Sequence, residues 1–436
     1  QVVLLGFSAI LVIGAELLHL PVSRATDHPL VDDLFMAASA VFTTGLSLTD
    51  VSSMYTPWGQ GFLIGLIQLG GLGYMTIFTL SLLLVRQRLS LRDRLHLQEV
   101  LEQPGLHGLA AFVLSIVRFT ATVEFLGVLL LSIRTIPRYG LGKGLFVALF
   151  HTVAAFNNAG FPLYPEGLLP WRQDPLFLLV LAGLIIVSGL GFAVNRELVS
   201  RYVLGRPPKA RWNLLIGVVL GMTAFLLLVT TLLYWVAEAP NPRTLGALGP
   251  PWQALNAFFM AVQPRSTGFA TIEVGAMTQV SLLWTVVLMF VGAGPGGTAS
   301  GVKLTTMAVV GAAIWATLRG QEEVEFYHLK RRIDPDTVRK AFAVVFLSGA
   351  WVVLVTALMI LVEPFPFFAV LFEVFSAFGN AGLSMGITGH LSDAGKLLLT
   401  ATMLVGRVGI LTLLLAWLPP RRPSAVRYAE ETLLVS

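Results

Sequence analysis

The sequence predicts an all-α membrane protein made of four tandem repeats, each a helix, a half-helix with a loop, and a second helix. Three observations predict it. Of the 436 residues, 56% are hydrophobic and only 12% charged, with a mean hydropathy of +0.79, which lies outside the range of soluble globular chains. Eight apolar stretches are long enough to cross a bilayer. Four short motifs recur at near-even spacing: Thr43-Thr44-Gly45-Leu46, Asn158-Ala159-Gly160-Phe161, Ser266-Thr267-Gly268-Phe269 and Asn380-Ala381-Gly382-Leu383. Their glycines lie 115, 108 and 114 residues apart, the mark of an internal repeat.

The elements follow in order. Residues 1–20 are apolar except for Glu16 and His19 and lack a small-residue cleavage site, so they predict a retained membrane helix rather than a signal peptide. The chain begins at Gln1 without an initiator Met, and its natural start is expected upstream. Further spans are predicted near 58–85, 110–133, 175–195, 213–237, 279–318, 341–362 and 395–418. Between successive pairs lie 30–44, 144–159, 251–265 and 366–381. A crossing needs about 20 apolar residues, so these shorter segments are expected to dip in and return. The units are then 1–85, 86–199, 200–318 and 319–418, with a tail at 419–436.

Orientation follows from Lys and Arg. The loops between units and the tail (86–109, 196–212, 319–340, 419–436) hold 18 of them in 81 residues, whereas the segments flanking the half-helices (21–57, 134–174, 238–278, 363–396) hold 8 in 153. The first set is predicted to be cytoplasmic, and both termini with it, in a multi-pass protein of the cell (inner) membrane. The net charge of +5 implies no nucleic-acid partner, because topology accounts for the basic loops. With no cysteine, disulfides and thiolate metal sites are excluded.

The motif loops carry the functional expectation. Non-helical backbone at membrane depth is tolerated only where it is buried in protein or lines a wet cavity. Four such loops meeting on one axis would present carbonyl oxygens able to replace the hydration shell of a monovalent cation. Each half-helix would aim its negative C-terminal pole at that ion. Thr43, Asn158, Ser266 and Asn380, two positions before each glycine, are small and polar and are expected to hold the loops in shape. Units one and three carry Thr-Gly and units two and four Ala-Gly, so the ring is expected to be pseudo-fourfold. A single small-polar-Gly motif would more readily be helix packing; four at matched spacing favour a pore.

The third unit departs from the others. Its closing stretch, 279–318, would extend about 60 Å as one helix, twice the hydrocarbon thickness. A break is predicted at Gly292-Ala293-Gly294-Pro295-Gly296-Gly297-Thr298-Ala299-Ser300-Gly301, where glycine permits and proline enforces non-helical backbone. Gly301-Val302-Lys303 lacks the spacing of a phosphate-binding loop. Arg407 lies inside the last apolar run, where a charge is disfavoured by at least about 2.5 kcal/mol, and is expected to face a cavity. Lys303, Glu124, Glu373, His151 and Arg118 are weaker candidates for which local pairing is the simpler reading. Glu373 is placed to bond the loop behind its motif, and Arg265 to brace backbone on the outer side.

The motifs Thr-Thr-Gly, Asn-Asn-Ala-Gly-Phe, Arg-Ser-Thr-Gly-Phe and Gly-Asn-Ala-Gly-Leu resemble those of the Trk/Ktr/HKT superfamily of potassium transport proteins. Gly406-Arg407-Val408-Gly409 followed by Leu411-Thr412 is closer to the bacterial Ktr-type membrane subunit. The resemblance implies gated potassium uptake driven by membrane potential, with Gly45, Gly160, Gly268 and Gly382 at a selectivity filter. It also implies a gate at 292–303 with Arg407 beneath that filter, and sodium stimulation. Potassium is then the transported ion and no cofactor is expected in this chain. A homodimer in the bilayer is implied, docked through 200–211, 319–340 and the tail on a cytosolic ring of nucleotide-binding subunits.

Two rivals belong to other classes. A membrane-embedded enzyme needs clustered titratable groups, whereas the seven histidines fall mostly in different loops. An alternating-access carrier usually shows paired broken helices, and only one strongly broken helix is predicted here.

Overall fold

The computed structural model describes residues 2–73, 109–203, 205, 212–265, 267–321, 323–326 and 331–417. The expectations for Ser266, for 74–85, for the loop 86–108, for most of 200–211, for part of 319–340 and for the tail 419–436 lie outside the described residues. The described chain is mostly helical, and its one sheet among the described residues is a two-residue antiparallel pair, Glu325–Phe326 with Arg331–Arg332, in the loop between the last two units. Val113–Tyr139, Leu214–Glu238 and Pro335–Val362 are each long and apolar enough to cross a membrane, and the bent pair Pro175–Gly189 with Phe192–Val203 makes a fourth.

The four half-helices are Leu30–Val41, Leu141–Phe156, Pro250–Val262 and Phe367–Gly379. At 1.5 Å per residue none reaches about 30 Å. Each second helix then starts on a capping side chain that accepts a first-turn backbone N–H. Thr56 caps Pro57–Leu72, Asp174 caps Pro175–Gly189, Thr278 caps Gln279–Phe290 and Ser392 caps Asp393–Val408, satisfying an amide the helix leaves unpaired.

Each second helix also packs on the half-helix of the following unit. Pro57–Leu72 lies against Leu141–Phe156, Pro175–Gly189 against Pro250–Val262, and Gln279–Phe290 against Phe367–Gly379. Asp393–Val408 returns to Leu30–Val41, so the order of units closes on itself.

The second helices do not run through. Pro57–Leu72 ends at Gly73 (φ 76°, ψ 136°), Pro175–Gly189 breaks at Gly191 (φ 91°, ψ 143°) and Asp393–Val408 at Gly409 (φ 87°, ψ 130°), backbone open only to glycine. At Gly191 the axis turns by 104°. The expectation of one strongly broken helix is therefore corrected. The third unit breaks over a longer stretch, between Phe290 and Leu304.

Side-chain clasps join helix ends. Glu363 accepts from Ser392 N (2.9 Å) and Oγ (2.6 Å), Glu238 from Thr278 N (2.8 Å) and Oγ1 (2.7 Å), and Arg134 pairs with Asp174 at 3.2 Å. Lys396 reaches Asp32 at 2.5 Å, tying unit four to unit one. In unit one the fully buried Asp33 accepts from His19 Nδ1 (2.8 Å), His28 Nε2 (2.9 Å) and Tyr55 OH (2.7 Å). Burial and the Asp33 charge push the Tyr55 hydroxyl pKa upward, so it stays a donor. Asp33→Ala leaves the buried Tyr55 hydroxyl and the partly buried His19 and His28 ring nitrogens without their acceptor and is expected to destabilise the protein by about 2–4 kcal/mol, read as a lower melting temperature in detergent.

Candidate functional site

Three of the four half-helices end in the same way. Thr43 (φ 54°), Asn158 (φ 58°) and Asn380 (φ 47°) are the only described non-glycine residues with positive φ. The N–H of the next residue reaches five residues back: Thr44 to Ser39 O (2.7 Å), Ala159 to Ala154 O (2.7 Å) and Ala381 to Ser376 O (2.8 Å). This is the Schellman termination, which turns the chain sharply and pairs carbonyls a helix end leaves open. Glycine is the usual residue there. Thr and Asn keep a polar side chain at the point of reversal, and Asn tolerates this region far better than a β-branched residue does.

The motif glycines then touch in sequence around a ring. A Cβ on Gly45 would stand 2.6 Å from Gly160 N and 3.0 Å from Thr267 O; one on Gly160 would collide with Thr267 O. A Cβ on Gly268 would meet Gly382 Cα at 2.6 Å, and one on Gly382 would collide with Thr44 O. Gly160 N donates to Thr267 O across the ring at 2.6 Å. The carbonyls of Thr44, Thr267 and Ala381 are thus gathered in one place. Above them lies a cavity of about 240 Å³ lined by all four glycines with Ser47, His151 and Ser384.

Below the ring lies the segment 292–303. Its base is closed by Gly292 N to Val302 O (2.8 Å) and Val302 N to Phe290 O (3.2 Å). Its tip leans on the break of the second unit's second helix, through Gly294 N to Gly189 O (2.8 Å) and Phe192 N to Gly296 O (3.1 Å). The left-handed residues reach down to it. Asn158 Nδ2 donates to Thr298 Oγ1 (2.6 Å), Thr43 Oγ1 to Thr298 O (3.4 Å), and Asn380 Nδ2 to Ser300 Oγ (3.0 Å) and Phe42 O (3.0 Å).

Arg407 completes the junction. Its Nη1 donates to Thr43 Oγ1 (3.0 Å), Ser300 Oγ (3.2 Å) and Thr298 O, and its Nη2 to Gly70 O. One side chain of unit four therefore grips units one and three at once. A cavity of about 330 Å³ opens beneath, lined among others by Gly73, Gly297, Lys303, Arg407 and Gly409. Lys303 Nζ donates to Ala299 O at 3.0 Å, within the segment.

The remaining candidates make local contacts. Glu373 accepts from Ser384 Oγ and from Thr388 Oγ1 (3.1 Å), behind the fourth loop. Glu124 accepts from Asn157 Nδ2 (3.1 Å) and Gln68 Nε2 (3.3 Å). His151 Nδ1 donates to Val147 O at 2.8 Å. Arg265, expected to brace backbone on the outer side, lines a small cavity with Asn158 and Thr223.

Two features escaped the sequence reading. Gln263 accepts from Phe269 N at 3.2 Å and so sets the third loop; its only signal is a polar residue five positions before the motif glycine. The breaks at Gly73, Gly191 and Gly409 had a clearer one. Gly71-Leu72-Gly73, Gly189-Leu190-Gly191, Gly292-Ala293-Gly294 and Gly406-Arg407-Val408-Gly409 form a second fourfold set following the first.

Ring, segment and arginine lie on a chain that matches the family model TrkH, a cation transport protein, over residues 9–420. The chain belongs to this family. It is 38% identical over 430 residues to the Ktr system potassium uptake protein B of Bacillus subtilis, covering 99% of this chain and 95% of the relative. The protein of the same name from Vibrio alginolyticus is 38% identical over 434 residues, covering 100% and 94%. The potassium/sodium uptake protein NtpJ of Enterococcus hirae is 33% identical over 443 residues, covering 100% and 96%. The crystal structure of the potassium transporter TrkH from Vibrio parahaemolyticus superposes with a TM-score of 0.75 at 15% identity, covering 96% of this chain and 84% of that one. The protein is a multi-pass membrane protein of a transporter family.

The tight approach at Gly382 gives a direct test of the ring. Gly382→Ala combines a φ of 73° with a backbone collision and is expected to destabilise by about 2 kcal/mol or more. Gly61→Ala, in a helix with open space around the added atom, is expected to be neutral or stabilising by up to about 1 kcal/mol. Melting temperatures of the two variants in detergent measure the difference.

Proposed function

We propose that the chain takes up potassium through a gated pore framed by the four units in pseudo-fourfold order, with the unit boundaries given above. The observation that carries this reading is the closed ring of Gly45, Gly160, Gly268 and Gly382, with backbone carbonyls gathered inside it and a cavity on either side. Residues 43–45, 158–160, 266–268 and 380–382 are the selectivity filter, and potassium is the ligand of their carbonyls. An ion seated there replaces the Gly160 N to Thr267 O contact with ion–carbonyl contacts. The names of the Ktr and NtpJ relatives, a potassium uptake protein and a potassium/sodium uptake protein, support potassium as the cargo and allow a role for sodium.

Gating rests on 292–303 and Arg407. The guanidinium places a positive charge under the filter and holds Thr298 and Ser300 in the path. Charge-assisted hydrogen bonds contribute about 1.5–3 kcal/mol each, so opening requires an opposing input. Membrane potential drives the flux, because one charge moving inward across 100 mV releases about 2.3 kcal/mol. No chemical step is needed, and the chain acts as a transporter rather than an enzyme. The word "system" in the relatives' names supports a partner component, which we assign as a cytosolic nucleotide-binding ring acting on a homodimer of this chain in the inner membrane, both termini cytoplasmic.

An alternating-access carrier gains support from the additional helix breaks. The ring nevertheless favours the pore, since a carrier's midplane site is built from two broken-helix pairs and does not require four touching loops.

Two outcomes test the reading in proteoliposomes. Gly268→Ser is expected to lower potassium-over-sodium discrimination by at least about tenfold, the equivalent of about 1.4 kcal/mol; unchanged permeability ratios would remove the filter assignment. Arg407→Ala is expected to raise basal rubidium flux several-fold in protein that still elutes as a folded species. An equal flux would take Arg407 out of the gate.

A further inference from the structure

Arg265 is a buried charge with no neutralising partner among the described residues. It is 8% exposed, its Nε lacks a hydrogen-bond partner, and it joins none of the ion pairs among the described residues. It sits in the short turn Gln263–Arg265 that continues the third half-helix. There an unpaired charge is strongly disfavoured.

Arg265 lines a cavity of about 20 Å³ whose walls include Asn158, Thr223, Ile185 and Ala293, with no carboxylate among them. A water-sized particle needs about 10–15 Å³ of such space, so the cavity fits a single small particle. The positive charge excludes a cation. A water would satisfy hydrogen bonds and leave the charge in place. The C-terminal pole of the half-helix offsets about half of one charge, and an anion is the occupant that removes the rest.

We propose that this cavity binds one small monovalent inorganic anion of chloride size, held by the Arg265 guanidinium with the Thr223 hydroxyl as a second donor. The site reaches the ring through Asn158, which lines the cavity and whose Oδ1 accepts from Thr267 Oγ1 at 3.0 Å. The anion thereby cancels a positive charge directly behind the third loop. The site is independent of what passes through the ring, so its test does not use transport.

Crystals of the whole chain soaked in bromide are expected to show an anomalous peak within hydrogen-bond distance of the Arg265 guanidinium. In solution, the melting temperature of the detergent-solubilised protein is expected to rise saturably with chloride exchanged for gluconate at constant ionic strength. Arg265→Gln is expected to abolish both signals. Thr223→Val, which leaves the charge and the packing in place, is expected to raise the chloride concentration at half effect roughly fivefold, the loss of one hydrogen bond. An empty anomalous map at Arg265 while surface bromides are visible would overturn the site. So would identical melting temperatures in chloride and gluconate, or a chloride effect unchanged in both variants.

Discussion

Backbone that leaves a helix inside a bilayer must find its hydrogen-bond partners in the protein, because hydrocarbon supplies none and each unsatisfied group is penalised by several kcal/mol. This constraint organises the molecule. The half-helix ends pair their last carbonyls with the amides of Thr44, Ala159 and Ala381. The two broken second helices of units two and three satisfy one another, Gly294 N to Gly189 O and Phe192 N to Gly296 O. Non-helical chain is concentrated where loops from different units meet, and the ring of carbonyls is a consequence of that concentration.

The side chains at the reversal points follow from the same constraint. Glycine would take the left-handed conformation at Thr43, Asn158 and Asn380 without strain, whereas an L-residue there is disfavoured by about 1–2 kcal/mol. What offsets it is the contact each side chain makes with the segment below. Thr43 accepts from the Arg407 guanidinium, a charge-assisted bond of about 1.5–3 kcal/mol. Asn158 bridges Thr298 and Thr267, and Asn380 joins Ser300 to Phe42. The residues that shape the ring are thus the ones that attach 292–303 to it.

Much of this was legible in the sequence. The motif spacing and the short apolar runs located the half-helices to within a few residues, since a run's length is set by the hydrocarbon thickness. The Gly-Pro-Gly-Gly stretch revealed the third break because an interior proline lacks the N–H the helix ladder needs and clashes with the preceding turn, and the glycines around it favour non-helical backbone. The breaks at Gly73, Gly191 and Gly409 were hidden, although the glycine sets were visible. Apolar residues continue past each of them, and hydropathy records the transfer of side chains rather than the pairing of backbone groups. Partners far apart in the chain were hidden for a different reason. The contact of Arg407 with Thr43 spans 364 positions, and the clasp of Lys396 on Asp32 the same distance; only the closure of the four units brings them together.

The unnoticed breaks bear on why the third unit can differ. A continuous second helix in every unit would fill the space beneath the ring with side chains. Instead the helices end at Gly73, Gly191 and Gly409, and the cavity of about 330 Å³ is bounded by Gly73, Phe192 and Gly409. That space is where Thr298, Ser300 and Arg407 meet. The twelve-residue segment 292–303 of the third unit borders this cavity through Gly296, Gly297, Ala299, Gly301, Val302 and Lys303. Sequence change in the loop can then tune its hold on Arg407 while the glycines that make room for it stay fixed.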